Sequence, residues 1–95
     1  IELSELFFDD SVSLLNKISD SIKRGDPDAL RKSAHTLKGA VSNFSAQRAY
    51  DAAYELELIG KNNEMENAYE KLNSLKVEID LVVNEMKSMI NKGSF

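Results

Sequence analysis

Apolar residues recur along this chain every three or four positions, and no stretch alternates strictly enough to make a strand. The first such run predicts a helix from Ser4 to Arg24, with Phe7, Phe8, Leu15, Ile18 and Ile22 near one face. Gly25 is the expected stop and Asp26-Pro27 the next start, because the aspartate accepts from free N–H groups and the proline has none to satisfy. A second helix carries Leu30, Ala34, Leu37, Val41 and Phe44, spaced four, three, four and three. Ser45 is the expected cap of a third, which bears Ala49, Ala52, Ala53, Leu56 and Ile59 and is closed by Gly60. Asn63 and Glu66 form an expected capping box for the fourth. That helix repeats Met65, Ala68, Leu72, Leu75, Ile79, Val82, Met86 and Met89 at the same spacings.

Short links between consecutive amphipathic helices make antiparallel neighbours, so the pattern predicts an all-α, antiparallel up-down-up-down four-helix bundle. A long coiled coil competes for the fourth helix alone, but three shorter helices ahead of it favour the bundle. The 95 residues suit one domain, spanning 1–95, with a single modest core. The chain opens on Ile1 rather than Met, and the expectation is a domain excised from a longer protein.

Composition removes several function classes. No apolar run approaches the eighteen or so residues of a membrane span, and no basic-then-apolar leader opens the chain. Direct membrane contact is therefore not expected. Without cysteine there is no disulfide framework, thiol nucleophile or thiolate metal site, which fits a cytoplasmic location. A net charge of −4 argues against nonspecific nucleic-acid binding. The charge is uneven, however. From Arg31 to Arg48 lie four basic residues (Arg31, Lys32, Lys38, Arg48) and no acidic one, against eight basic and sixteen acidic elsewhere. One basic window in an acidic domain suggests a local site for an anion, although a solvated helix face would give the same composition.

The only histidine, His35, lies in that window. A helix turns about 100° per residue, so with the apolar stripe of the second helix centred on Leu30, His35 falls near 140°. Its ring should point away from the core. Lys38 falls near 80°, Arg31 near 100°, Ser42 near 120° and Gly39 near 180° on the same wheel. Two cations and a hydroxyl are thus expected around the imidazole. Gly39 costs a mid-helix position about 1 kcal/mol relative to Ala, a loss that a bare surface beside the ring would explain.

These features suit phosphoryl transfer. A neutral imidazole is a nucleophile near neutral pH, and Lys38 and Arg31 should keep the ring unprotonated while stabilising phosphoryl charge. Other chemistries lack parts. A His/Cys metal cluster has no second ligand, so no metal is expected. A Ser-His-Asp hydrolase needs an oxyanion hole and pocket that a small bundle rarely offers. No G-x-x-x-x-G-K-[ST] loop occurs, so no autonomous ATP use is expected.

The segment Ala34-His35-Thr36-Leu37-Lys38-Gly39 resembles the signature of histidine-containing phosphotransfer domains, the phosphorelay intermediates of two-component signalling. Leu30 before it, Phe44 after it, and Leu56-Glu57 ahead of Gly60 extend the likeness, while Ser45 departs from the Gly that many members have. The resemblance implies that His35 is the phosphoacceptor, modified on its outer ring nitrogen. It implies that Lys38 faces the phosphoryl group and that Gly39 leaves room for the partner's phosphoaspartate loop. Glu57 stands where some members place a Gln or Glu that orients the ring. The implied partners are response-regulator receiver domains, with a hybrid sensor kinase in cis as a further candidate. Mg²⁺ belongs to the receiver and no cofactor to this chain, a carrier rather than an enzyme with its own ATP site. A monomer is expected.

Two rival functions share parts of this pattern. The dimerisation and phosphoacceptor region of a histidine kinase usually has an acidic residue directly after its histidine and a Pro shortly beyond. Here Thr36 follows, and no Pro appears after Pro27. A helical binding module that is never phosphorylated is the other, and the presence of His35, Lys38 and Gly39 together weighs against it.

Overall fold

The computed structural model describes residues 3–44 and 46–91, with side-chain environments for 5–44 and 46–88. Four helices form: α1 (Leu3–Arg24), α2 (Pro27–Val41), α3 (Gln47–Asn62) and α4 (Ala68–Asn91), with single 3₁₀ turns at Ser42–Phe44 and Met65–Asn67. Helix α1 packs on α2 and α4, and α3 packs on α2 and α4, closing the up-down-up-down ring. The bundle measures 45 × 21 × 18 Å, and among the described residues there is no strand.

Local chemistry sets the first turn as expected. Gly25 takes φ +63° and its N–H donates to Ile22 O, while the Asp26 N–H donates to Ser21 O. These two bonds make a Schellman ending, which needs the left-handed residue that glycine supplies most cheaply. Asp26 also opens α2, its carboxylate accepting from the Ala29 N–H at 3.0 Å ahead of Pro27 at the first position.

The second expected stop is displaced. Gly60 lies inside α3, and the left-handed position belongs to Asn63, at φ 55° and ψ 42°. Asn63 N–H donates to Gly60 O and Glu64 N–H to Ile59 O, the same Schellman pattern with asparagine in place of glycine. Asn63 is therefore spent closing α3, and it opens no capping box with Glu66. A 3₁₀ turn from Met65 leads into α4 instead. The expected cap Ser45 lies outside the described residues.

The core takes Phe7, Ile18 and Ile22 from α1, Leu30, Ala34, Leu37 and Val41 from α2, Ala49, Ala53 and Leu56 from α3, and Ala68, Leu72, Leu75, Ile79 and Val83 from α4. Two placements correct the apolar pattern. Phe8 stays exposed, with the Lys87 ammonium 5.7 Å from its ring centre, so it adds nothing to the buried stripe. Val83 is buried where Val82 was expected, and Val82 is only half-buried. The Met89 side chain lies outside those described. Phe44 leaves the helix for the 3₁₀ turn and sets its ring edge-on to Phe7, 4.6 Å between centres, capping the core at that end.

Candidate functional site

Small residues bring α2 and α3 together. Ala34 on one helix and Ala49, Ala53 and Gly60 on the other are all buried, and Gly60 makes a close approach. A Cβ there would stand 2.6 Å from Pro27 O and 2.7 Å from Arg31 N. The α3 backbone thus rests against the first turn of α2, one turn from Glu57 on its own helix and one turn from His35 on the other.

Above this contact a three-membered cluster spans the seam. Ala34 and Leu37 enter the core, which turns His35 outward, its side chain 64% exposed. His35 Nδ1 lies 3.2 Å from Glu57 Oε1, and Lys38 Nζ lies 2.9 Å from the same oxygen. Unlike the histidine, Lys38 and Glu57 are mostly covered, at 15% and 17% side-chain exposure. Burial pushes the Glu57 carboxyl up, but hydrogen bonds from Lys38 and His35 outweigh it and hold the group below its ordinary value. The Lys38 ammonium is held above its ordinary value chiefly by the Glu57 hydrogen bond, against partial desolvation. Glu57 is therefore ionised at neutral pH and only accepts, so His35 Nδ1 carries the proton. In the neutral ring this leaves Nε2 as the nitrogen with a free lone pair.

The remaining expected members do not join. Arg31 bonds Asp28 at 3.0 Å, one turn back along α2, and Lys32 reaches the same carboxylate at 3.1 Å. Arg48 pairs with Glu78 of α4 at 3.1 Å. Every cation of the basic window has a carboxylate partner in the structure. Arg31 is paired with Asp28 rather than with the cluster, and Lys38 meets Glu57. The Ser42 hydroxyl donates to Gly39 O at 2.7 Å and serves the end of α2. Gly39 is exposed as expected, and an added Cβ would meet nothing within 4 Å.

Two aromatic residues escaped the sequence reading. Lys38 Nζ sits 4.9 Å from the centre of the Tyr54 ring and 5.8 Å from that of Tyr50. Tyr50, Tyr54 and Glu57 follow the i, i+4, i+7 spacing of one helix face, a signal that was available in α3. Beside them an open groove of about 340 Å³ is lined by Ser42, Ala46, Gln47 and Tyr50. Among the described residues no group of three His, Cys, Asp or Glu side chains could hold a metal ion.

Residues 2–89 match the family model of the Hpt domain. Among solved structures the chain is similar to histidine-containing phosphotransfer protein B (HptB) from Pseudomonas aeruginosa PAO1. The TM-score is 0.89 at 28% sequence identity, over 95% of this chain and 78% of that one. A comparison with curated proteins gives no significant match.

Proposed function

The chain belongs to the Hpt domain family, the phosphoryl-carrying intermediates of phosphorelays, and on that premise we propose that Nε2 of His35 is the atom that takes the group. The observation that carries this reading is the His35–Glu57 contact, with the ring 64% exposed and Nδ1 held by a carboxylate. Receiver domains are the partners of such domains. The donor here is a receiver's aspartyl phosphate and the acceptor a second receiver.

In the transfer step the Nε2 lone pair forms the N–P bond while the acyl-phosphate P–O bond breaks, its electron pair leaving with the receiver's carboxylate. No proton has to move. The ring keeps its Nδ1–H and becomes an imidazolium, whose charge meets Glu57 Oε1 at 3.2 Å. A bare carboxylate so near would repel phosphoryl oxygens, and Lys38, at 2.9 Å on the same oxygen, offsets that repulsion. Lys38 thus acts from the Glu57 side of the ring. Mg²⁺ belongs to the receiver, and this chain needs no ATP site.

The kinase dimerisation alternative is not favoured, since the match is to phosphotransfer proteins and one chain supplies all four helices. No described helix is long and apolar enough to cross a membrane. We place the domain in the cytoplasm as a monomer, where its receivers would reach it.

The test is transfer from a phosphorylated receiver to wild type and to His35→Gln. Base-stable, acid-labile label on wild type alone is expected, with unchanged helicity in the variant, because the side chain is exposed. Equal labelling of both proteins would end the reading.

A further inference from the structure

Lys38 is an exposed-face residue that is not itself exposed. Its wheel position puts it at the edge of the solvent face of α2, yet its side chain is 15% accessible. The cover comes from α3, where Tyr50 and Tyr54 stand one turn apart and Glu57 one turn further. The ammonium lies 4.9 Å from the Tyr54 ring centre, 5.8 Å from that of Tyr50 and 2.9 Å from Glu57 Oε1. A lysine with four rotatable bonds would otherwise sample solvent, and an exposed ion pair alone holds it weakly. Two aromatic faces and a carboxylate converging on one ammonium make a built position.

The consequence passes along one oxygen. Glu57 Oε1 accepts from both Lys38 and His35 Nδ1. If the ammonium leaves, the carboxylate is free to rotate and the ring loses the anchor that fixes its tautomer. We propose that Tyr54, seconded by Tyr50, is a positioning residue for phosphotransfer: its ring holds Lys38 on Glu57, and the filled carboxylate holds His35 with Nε2 free to react. Tyr54 touches neither the imidazole nor the phosphoryl group in this scheme. It acts through Lys38, and the proposal rests on His35 being the phosphoacceptor.

The distinguishing experiment compares Tyr54→Leu, Tyr54→Phe and the double variant Lys38→Ala/Tyr54→Leu with wild type and Lys38→Ala. Single-turnover transfer from a saturating phosphorylated receiver is measured for each. Because Tyr54 is 43% exposed, the leucine variant should fold normally. A cation–π contact at a half-exposed site predicts a roughly two- to fivefold slower transfer for Tyr54→Leu. Tyr54→Phe keeps the ring and should transfer at the wild-type rate. In the Lys38→Ala background the leucine change should cost nothing further, since residues acting through one another are not additive. A loss that persists without Lys38 would make Tyr54 a receiver contact and overturn the proposal, as would an undiminished rate in Tyr54→Leu.

Nitrogen-15 NMR of the unphosphorylated imidazole gives a reading independent of transfer. Wild type and Tyr54→Phe should show the Nδ1–H tautomer, and Tyr54→Leu a mixture with Nε2–H. An unchanged tautomer in Tyr54→Leu would contradict the positioning role. Failure of His35 to accept phosphate at all would instead strike the proposed function, and the tautomer measurement would still decide whether Tyr54 positions the ring.

Discussion

Gly39 and Gly60 both lie within helices on the α2–α3 face, on opposite sides of the His35–Glu57 pair, yet an added methyl would meet nothing within 4 Å at Gly39 and backbone at 2.6 Å at Gly60. Each costs its helix about 1 kcal/mol relative to Ala. At Gly60 the fold recovers that cost through close contact of α3 with Pro27 and Arg31, which sets the spacing across which Glu57 reaches His35. At Gly39 the fold recovers nothing, because no described residue comes within 4 Å of an added Cβ. The open groove at Ser42, Ala46, Gln47 and Tyr50 lies toward this same end of α2. One end of the seam is closed by the protein for itself. The other is left open, and the space is available to a partner.

The largest expected effect probes the open end. Gly39→Gln should stay folded, since glutamine is a good helix former and the site has room. It should nonetheless slow transfer from a phosphorylated receiver, by roughly a hundredfold if the incoming aspartyl phosphate is displaced by about 1 Å. Melting curves and transfer rates on the same preparation check both halves, and an unchanged rate would leave the open surface without a role.

At the closed end, Gly60→Ala should destabilise by about 1–3 kcal/mol, because the methyl collides with backbone that cannot swing aside. In a domain of this size that lowers the melting temperature by about 4–8 °C per kcal/mol. A rise in melting temperature would show that α3 slides away freely and that the spacing is not set here.

Between the two ends, Lys38→Ala should slow transfer by about tenfold, the worth of one charge-assisted hydrogen bond, while receiver affinity changes much less. Equal losses in rate and affinity would move Lys38 from the reacting cluster to the docking surface. The smallest effect returns to Gly39. The alanine variant should gain about 0.5–1 kcal/mol of stability, read as a higher denaturation midpoint, with transfer largely kept. Destabilisation by alanine would mean that Gly39 serves the fold after all, and the contrast with Gly60 would collapse.

The helices and the first turn were legible because their causes are local. Gly25, Asp26 and Pro27 carry out the stop, cap and start within three residues. Gly60 was misjudged because glycine ends a helix and also lets helices approach. Only the neighbouring helix decides between the two, while Asn63 was equally able to take the left-handed position. Val82 and Val83 are adjacent, and a pattern of threes and fours cannot choose between them across a 24-residue helix. His35 was legible as an outward residue by its phase alone. Its partner was not, since Glu57 lies 22 positions away and was reached only through family resemblance. The partner of Arg31 was legible: Asp28 stands three residues before it, at the spacing where helical ion pairs form. Lys38 has no acid at that spacing on α2 and so reaches across the seam.

The central claim is that phosphate resides on Nε2 of His35 while Nδ1 stays protonated against Glu57. Phosphorus-31 and nitrogen-15 NMR of the ¹⁵N-histidine-labelled, phosphorylated domain tests it directly, because the one histidine gives an unambiguous signal. The account predicts a single phosphohistidine with phosphorus coupled to Nε2 and a proton retained on Nδ1. Coupling to Nδ1, or phosphate on any residue other than His35, would contradict it.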